Sequence, residues 1–302
     1  MKYLLKGVQI YCDPHNPVSE SKIWLSSGTF PASLSNMCRY YANDAVLPAE
    51  PWRLPNSSEL SILITQTIPR NFYGSCVALT RIPDNVLSPL RKLGVDSLKS
   101  PGEQRQCISS PEYQLGITRV LDYLRPFHLS NHTPIVAGLA INPPNMPTVT
   151  YNSHQQFYIG LHLDSWDHMP LQDRHLSTNR ICINLGQHDR FFLFLNLPLV
   201  DILYTLILLE SNKFAPSQQW INWKWKFRKF KPIQGLIRTT PPQHLKRRFL
   251  ETYSSYPIIK VRVAPGEAYI APTENIIHDG CSIGQNDADV HLTMRGYFHI
   301  PS

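Results

Sequence analysis

From Thr133 to the end, the chain is cut into short apolar stretches of alternating pattern by turn-forming residues, and this restricts it to folds built from many small strands. The stretches are 134–141, 148–151, 156–164, 180–185, 190–195, 258–263, 267–271 and 290–299, each rich in β-branched or aromatic residues. Gly186, Gln187, His188 and Asp189 form a four-residue link that predicts a hairpin between 180–185 and 190–195, and Pro265 with Gly266 marks another turn. Eight such strands suit a small barrel or a double-sheet jelly roll. The fold class predicted is therefore mainly β with α additions.

Residues 1–132 read differently. Proline-rich loops alternate with helical patterns, the clearest over 112–124, where Leu115, Val120, Leu121 and Leu124 make an apolar stripe ending before Pro126. This part is expected to be a helical and loop buttress for a core formed by 133–302, in one catalytic domain over 1–302. Helices are also predicted over 198–210 and 243–253. With 42% hydrophobic and 17% charged residues the chain can bury a sizeable core, and it shows no repeat or low-complexity tract.

The formal charge of +7 is local. Residues 211–250 hold ten basic side chains and no acidic one, so the rest of the chain is about −3. Within this basic insertion (212–250), Trp223, Trp225 and Phe227 alternate with Lys224, Lys226 and Arg228, the pattern of an amphipathic edge strand or of a lid over an active site. The slightly acidic remainder, with no second basic stripe, argues against nucleic acid as a partner. The six cysteines are widely spaced with no C-x-x-C pair, which points to free thiols in a reducing, cytoplasmic compartment. No secretory signal is read at the N-terminus, and the longest apolar run, 197–209, holds Pro198 and Asp201 and is too short to span a bilayer.

Chemistry concentrates in four residues. His162 and Asp164 lie two apart in Gly160-Leu161-His162-Leu163-Asp164, so an extended backbone turns both toward one side and both leucines toward the other. His278 follows in a segment read as a strand, a proline and then a turn. In the last strand, alternation places His291, Thr293, Arg295 and Tyr297 on one face and Leu292, Met294 and Phe298 on the other. A guanidinium pointing into a barrel requires an anionic partner, and its planar fork matches a carboxylate. His154, His168, His175 and His188 have no carboxylate two positions on and read as surface or loop residues; neither His291 nor His299 is followed by a suitably spaced arginine.

His162, Asp164, His278 and Arg295 together resemble the pattern of the Fe(II)/2-oxoglutarate-dependent dioxygenase superfamily, over about residues 133–302. The resemblance implies a double-stranded β-helix (jelly-roll, cupin-like) core. It implies Fe(II) held by His162, Asp164 and His278, 2-oxoglutarate as cosubstrate with O2, and the C5 carboxylate bound by Arg295 with help from Thr293 or Tyr297. The carboxylate at Asp164 favours hydroxylation over halogenation, because related halogenases have a small residue there. The expected substrate is an unactivated C–H bond of an amino acid, peptide or natural-product intermediate. A nucleic-acid demethylase and a cupin-like metal enzyme without 2-oxoglutarate stand as alternatives.

Overall fold

The computed structural model describes residues 4–12, 22–68, 72–129, 133–210 and 231–301. In the N-terminal part these include six strands: β1 (Gln9–Tyr11), β2 (Ile23–Leu25), β3 (Gly28–Pro31), β4 (Val46–Ala49), β5 (Ile64–Thr65) and β6 (Cys76–Arg81). Nine more follow: β7 (Ile135–Asn142), β8 (Tyr151–Asn152), β9 (Phe157–Tyr158), β10 (Asn179–Asn184), β11 (Arg190–Phe194), β12 (Ile259–Val263), β13 (Glu267–Ala271), β14 (His278–Cys281) and β15 (Asp289–Gly296).

Two sheets organise them, in the orders β5-β1-β6-β13-β10-β15-β7 and β14-β11-β12-β2. Along the chain, β10 lies in the large sheet, β11 and β12 in the small one, β13 in the large, β14 in the small and β15 in the large, with antiparallel pairing among these core strands. The segment through His162 joins the edge of the small sheet by a bridge to His278. This alternation between two layers is a double-stranded β-helix, the jelly-roll architecture expected from the strand pattern.

The 186–189 link is not a hairpin. It carries the chain from the large sheet to the small one, so β10 and β11 do not pair, and the turn at Pro265 and Gly266 crosses back between β12 and β13. Period-2 runs joined by a short link look the same in sequence whether the strands pair or face each other across a core.

Register follows from which face is apolar. In β10, Ile181 and Ile183 join Val290, Leu292 and Met294 of β15 in a cluster beneath the helices, while Arg180, Cys182 and Asn184 share the inner face with Arg295, Thr293 and His291. Slipping β10 by one residue would drive Arg180 into the apolar layer, so the register is strongly specified. Between the sheets, Phe192 stacks on Tyr269 with ring centroids 4.1 Å apart and Phe194 packs beside it.

Helix Pro111–Leu124 covers the outer face of the large sheet. Ser110 caps it by accepting from the Tyr113 N–H, and Pro111 occupies the first turn. Its buried stripe is Tyr113, Gly116, Ile117, Val120 and Leu124, so Val120 and Leu124 of the predicted stripe face the core, whereas Leu115 is 55% exposed because the helical period turns it away from that face. The N-terminal part also extends both sheets, with β6, β1 and β5 beyond β13 and β2 beyond β12. These strands of two to six residues give almost no periodicity to read.

Predicted helices 198–210 and 243–253 are present as Leu199–Glu210 and Pro242–Thr252, joined by an unforeseen helix Lys231–Thr239. The aromatic basic stretch 220–231 lies almost wholly outside the described residues. No helix of the described residues is long and apolar enough to cross a membrane.

Candidate metal centre

The ligand segment 160–164 is held by backbone contacts rather than by a regular ladder. Gly160 sits at φ +67°, and a Cβ there would meet the Val46 carbonyl oxygen at 2.7 Å, so only glycine fits. Leu161 donates its N–H to Val46 (2.9 Å) and, with Leu163, buries its side chain in the core between the sheets. His162 and His278 exchange backbone hydrogen bonds at 3.0 and 2.9 Å, and the Asp164 N–H donates to the Thr273 carbonyl at 3.2 Å. His278 opens strand β14 instead of lying in a turn. The turn is completed at 272–275, where the Asn275 N–H reaches the Pro272 carbonyl, and the chain is extended again before the histidine.

These contacts bring one side-chain ligand atom from each of His162, Asp164 and His278 within 4.8 Å of one another. Asp164 Oδ1 is 3.7 Å from His162 Nε2, and Oδ2 is 3.8 Å from His278 Nε2. Each histidine directs Nδ1 to a backbone carbonyl, Gly160 at 3.1 Å and Ile276 at 3.2 Å. Carbonyls only accept, so in the neutral ring Nδ1 carries the proton and Nε2 is the nitrogen left for the centre. His278 Nε2 is buried and has no hydrogen-bond partner among the described residues, an arrangement that costs about 1–3 kcal/mol unless something satisfies it.

The three side chains carry unequal charge. Burial would raise the Asp164 carboxyl, but Arg180, 2.7 Å away, and the neighbouring histidines hold it well below the usual carboxylate range. Burial and the adjacent His162 push His278 down to about 3, so its ring is neutral. Burial would lower His162 too, yet Asp164 and Asp279 outweigh it and raise it to about 9. Two neutral-capable imidazoles and one ionised carboxylate, all buried, are the donor set that suits a divalent first-row metal with open positions such as Fe(II).

A cavity of about 260 Å³ adjoins Asp164, lined by Trp166, Thr178, Arg180, Thr293 and Arg295. Arg295 stands 3.6 Å from Asp167 and over the Trp166 ring at 5.5 Å, with its Nε buried and without a hydrogen bond. Tyr297 lies past the end of β15 and is not in that lining, since the strand and its alternation stop at Gly296. A second cavity of about 330 Å³ is lined by His278 together with Arg190, Tyr269 and His291. Arg180 borders both.

Sequence reasoning missed Arg180, Arg190 and Arg174. Arg190 is buried against Asp289 (3.0 Å) and lines the second cavity together with His278. Arg174 pairs with Glu274 at 3.0 Å and donates to the Asp164 carbonyl, tying the loop after Asp164 to the turn before His278. A signal existed for Arg180: the alternation that buries Ile181 and Ile183 points a cation inward. The other histidines stay outside the cluster; His188, for example, pairs with Asp287 at the surface.

No protein-family pattern matches the chain, and none of the curated proteins is similar to it. Among solved structures it is similar to the apo form of the Kdo hydroxylase KdoO, described as a non-heme Fe(II) alphaketoglutarate dependent dioxygenase. Identity is 14%, over 73% of this chain and 78% of that chain, with a TM-score of 0.35. The same enzyme in complex with succinate and Fe(III) gives 13% identity, the same coverages and a TM-score of 0.34. Likenesses this distant leave the functional reading to the geometry of the site.

Proposed function

We propose that the protein is an Fe(II)- and 2-oxoglutarate-dependent oxygenase that hydroxylates an unactivated C–H bond, with residues 1–132 bracing a catalytic core over 133–302. The observation that carries the reading is the convergence of His162 Nε2, His278 Nε2 and the Asp164 carboxylate within 4.8 Å, beside a cavity that presents Arg295. His162, Asp164 and His278 would hold the iron. Bound there with 2-oxoglutarate and O2, Fe(II) supplies the oxidising power that converts C–H to C–OH, with release of succinate and CO2.

The chain's own residues position and exclude. Arg180 fixes the Asp164 carboxylate through its ion pair at 2.7 Å. The Arg174–Glu274 pair, buried at 5% and 1% exposure, keeps the loop after Asp164 from shifting. Phe192, whose ring centroid is 6.0 Å from that of His278, keeps water from the ligand on the core side. Arg295 would receive the far carboxylate of 2-oxoglutarate, with Thr293 on the same face as a hydroxyl partner. The pair of small cavities suits a compact amino acid, a peptide terminus or a natural-product intermediate. Six free cysteines fit a reducing, cytoplasmic setting.

A second reading is a cupin-like metal enzyme that does not use 2-oxoglutarate. It is favoured by the partners its arginines already have, Arg180 with Asp164 and Arg295 with Asp167. An anaerobic visible spectrum with Fe(II), before and after 2-oxoglutarate, separates the two. A charge-transfer band that needs both additions and is lost in His278→Ala supports the proposal. Iron binding with no such band supports the second reading.

A further inference from the structure

We infer that Asp279, adjacent in sequence to one histidine of the cluster, is the positioning residue for the other, and that it sets how tightly His162 holds a divalent metal. The inference rests on reading His162, Asp164 and His278 as metal ligands. Asp279 is the second residue of β14, so it leaves the sheet on the face opposite His278 and Gly280. Its side chain is nevertheless fully buried, beside the segment 145–150, which is tied to the residue just after β14 by Asn145 N–H to the Ser282 carbonyl (2.9 Å) and Ser282 N–H to the Met146 carbonyl (3.0 Å).

The two oxygens of Asp279 are used very differently. Oδ1 accepts from the N–H groups of Val149 (3.2 Å), Thr150 (3.1 Å) and Gly280 (2.7 Å) and from Thr150 Oγ1 (2.9 Å). Oδ2 has no hydrogen bond and faces His162 Nδ1 at 3.4 Å. Four donors on one oxygen fix the carboxyl plane, which leaves the other oxygen aimed at the imidazole. His278 has no such carboxylate behind its ring; its Nδ1 meets only the Ile276 carbonyl at 3.2 Å among the contacts of the described residues.

A carboxylate behind a ligating imidazole holds the proton on Nδ1, keeps Nε2 free for the metal and makes the ring a stronger donor, and losing such a partner typically weakens metal binding 10- to 100-fold. The Gly160 carbonyl at 3.1 Å can fix the tautomer but adds no charge. Asp279 therefore makes the two histidines unequal, with His162 the more basic donor.

Asp279→Asn is the informative variant. The amide oxygen can still take the four donors, while an uncharged NH2 group replaces the oxygen facing Nδ1–H. Titration of the full chain with Co(II) against a chromophoric chelator should show a dissociation constant raised roughly 10- to 100-fold, with the far-UV circular dichroism of the metal-free protein unchanged. In the wild-type Zn(II) form, the Nδ1-bound proton of His162 should resonate further downfield than that of His278, a difference that a purely structural Asp279 would not produce. An Asn variant that binds Co(II) as wild type does overturns the inference while leaving the metal centre standing. Failure of both proteins to bind Co(II) overturns the metal centre and the inference together. Should the variant not fold, the wild-type proton resonances decide.

Discussion

Replacing Arg295 by alanine should separate cosubstrate binding from everything else the barrel does. Arg295 keeps 23% of its side chain exposed, its contact with Asp167 is long at 3.6 Å, and its Nε makes no hydrogen bond. An ion pair of that kind is worth about 0–1 kcal/mol to folding, so stability should hardly change. A bound carboxylate would lose a charge-assisted contact worth about 1.5–3 kcal/mol, which is on the order of a 10- to 150-fold weaker affinity for 2-oxoglutarate. The assay is anaerobic titration of the Fe(II) protein with 2-oxoglutarate, followed by its visible band, alongside a separate Fe(II) titration. The expected result is a large rise in the 2-oxoglutarate constant with the iron constant nearly unmoved, and an intermediate value for Arg295→Lys, whose ammonium keeps the charge but not the planar fork. An unchanged 2-oxoglutarate constant in Arg295→Ala would refute the role and direct attention to Arg190 and the second cavity.

Four further outcomes are expected. Asp164→Ala should abolish hydroxylation and weaken Fe(II) binding, measured by succinate release and by metal titration; full activity would remove the triad. Arg190→Met should destabilise the fold by about 3–5 kcal/mol in urea denaturation, because it strands a buried charge, whereas Arg190→Met with Asp289→Leu should come close to wild type. The same pair gives an acid dependence. Burial would raise Asp289, but Arg190 outweighs it and keeps the carboxyl far below its ordinary value, so the contribution is full at neutral pH and fades only as pH drops below about 4 toward the folded-state value. Gly160→Ala should cost at least about 1 kcal/mol from the left-handed backbone alone and should also weaken Co(II) binding, since relieving the clash with Val46 moves His162; an unaltered cobalt affinity would show that the ligand segment tolerates the shift.

How much of this was legible in sequence depends on distance along the chain. His162 and Asp164 could be paired because the i, i+2 relation survives even where the segment forms only a single bridge, and the buried Leu161 and Leu163 enforce the alternation. His278 could be assigned a partner but not a strand, since its backbone partner, His162, lies 116 positions away. Arg180 acts on a residue sixteen positions earlier, across a loop whose path no local pattern gives. Asp279 was hidden by its neighbour, because adjacent residues on a strand face opposite ways and its orientation is set by donors from Val149 and Thr150, some 130 positions away. The strands before residue 82 were lost because two to six residues carry too little periodicity. The supposed hairpin at 186–189 failed for another reason: the apolar pattern reports which side is buried, not which strand lies alongside.

Phe194 and Ile259 are register partners in neighbouring strands, so the chain leaves the barrel after residue 194 and re-enters it at residue 259 through a gap one strand wide. For a connection between two such neighbours, doubling the length of the closed loop adds only about 0.6 kcal/mol. Among the described residues it is tied back to the core between the sheets by two helices, through Leu199, Ile202, Leu203 and Leu206 of Leu199–Glu210 and through Leu245, Phe249 and Leu250 of Pro242–Thr252, and by Lys246, which donates to the Leu161 carbonyl beside His162. The length of chain between those two helices can therefore change at little thermodynamic cost, provided that both helical faces and the lysine keep their hold, which makes this excursion a place where what the protein acts on can vary without rebuilding how it acts.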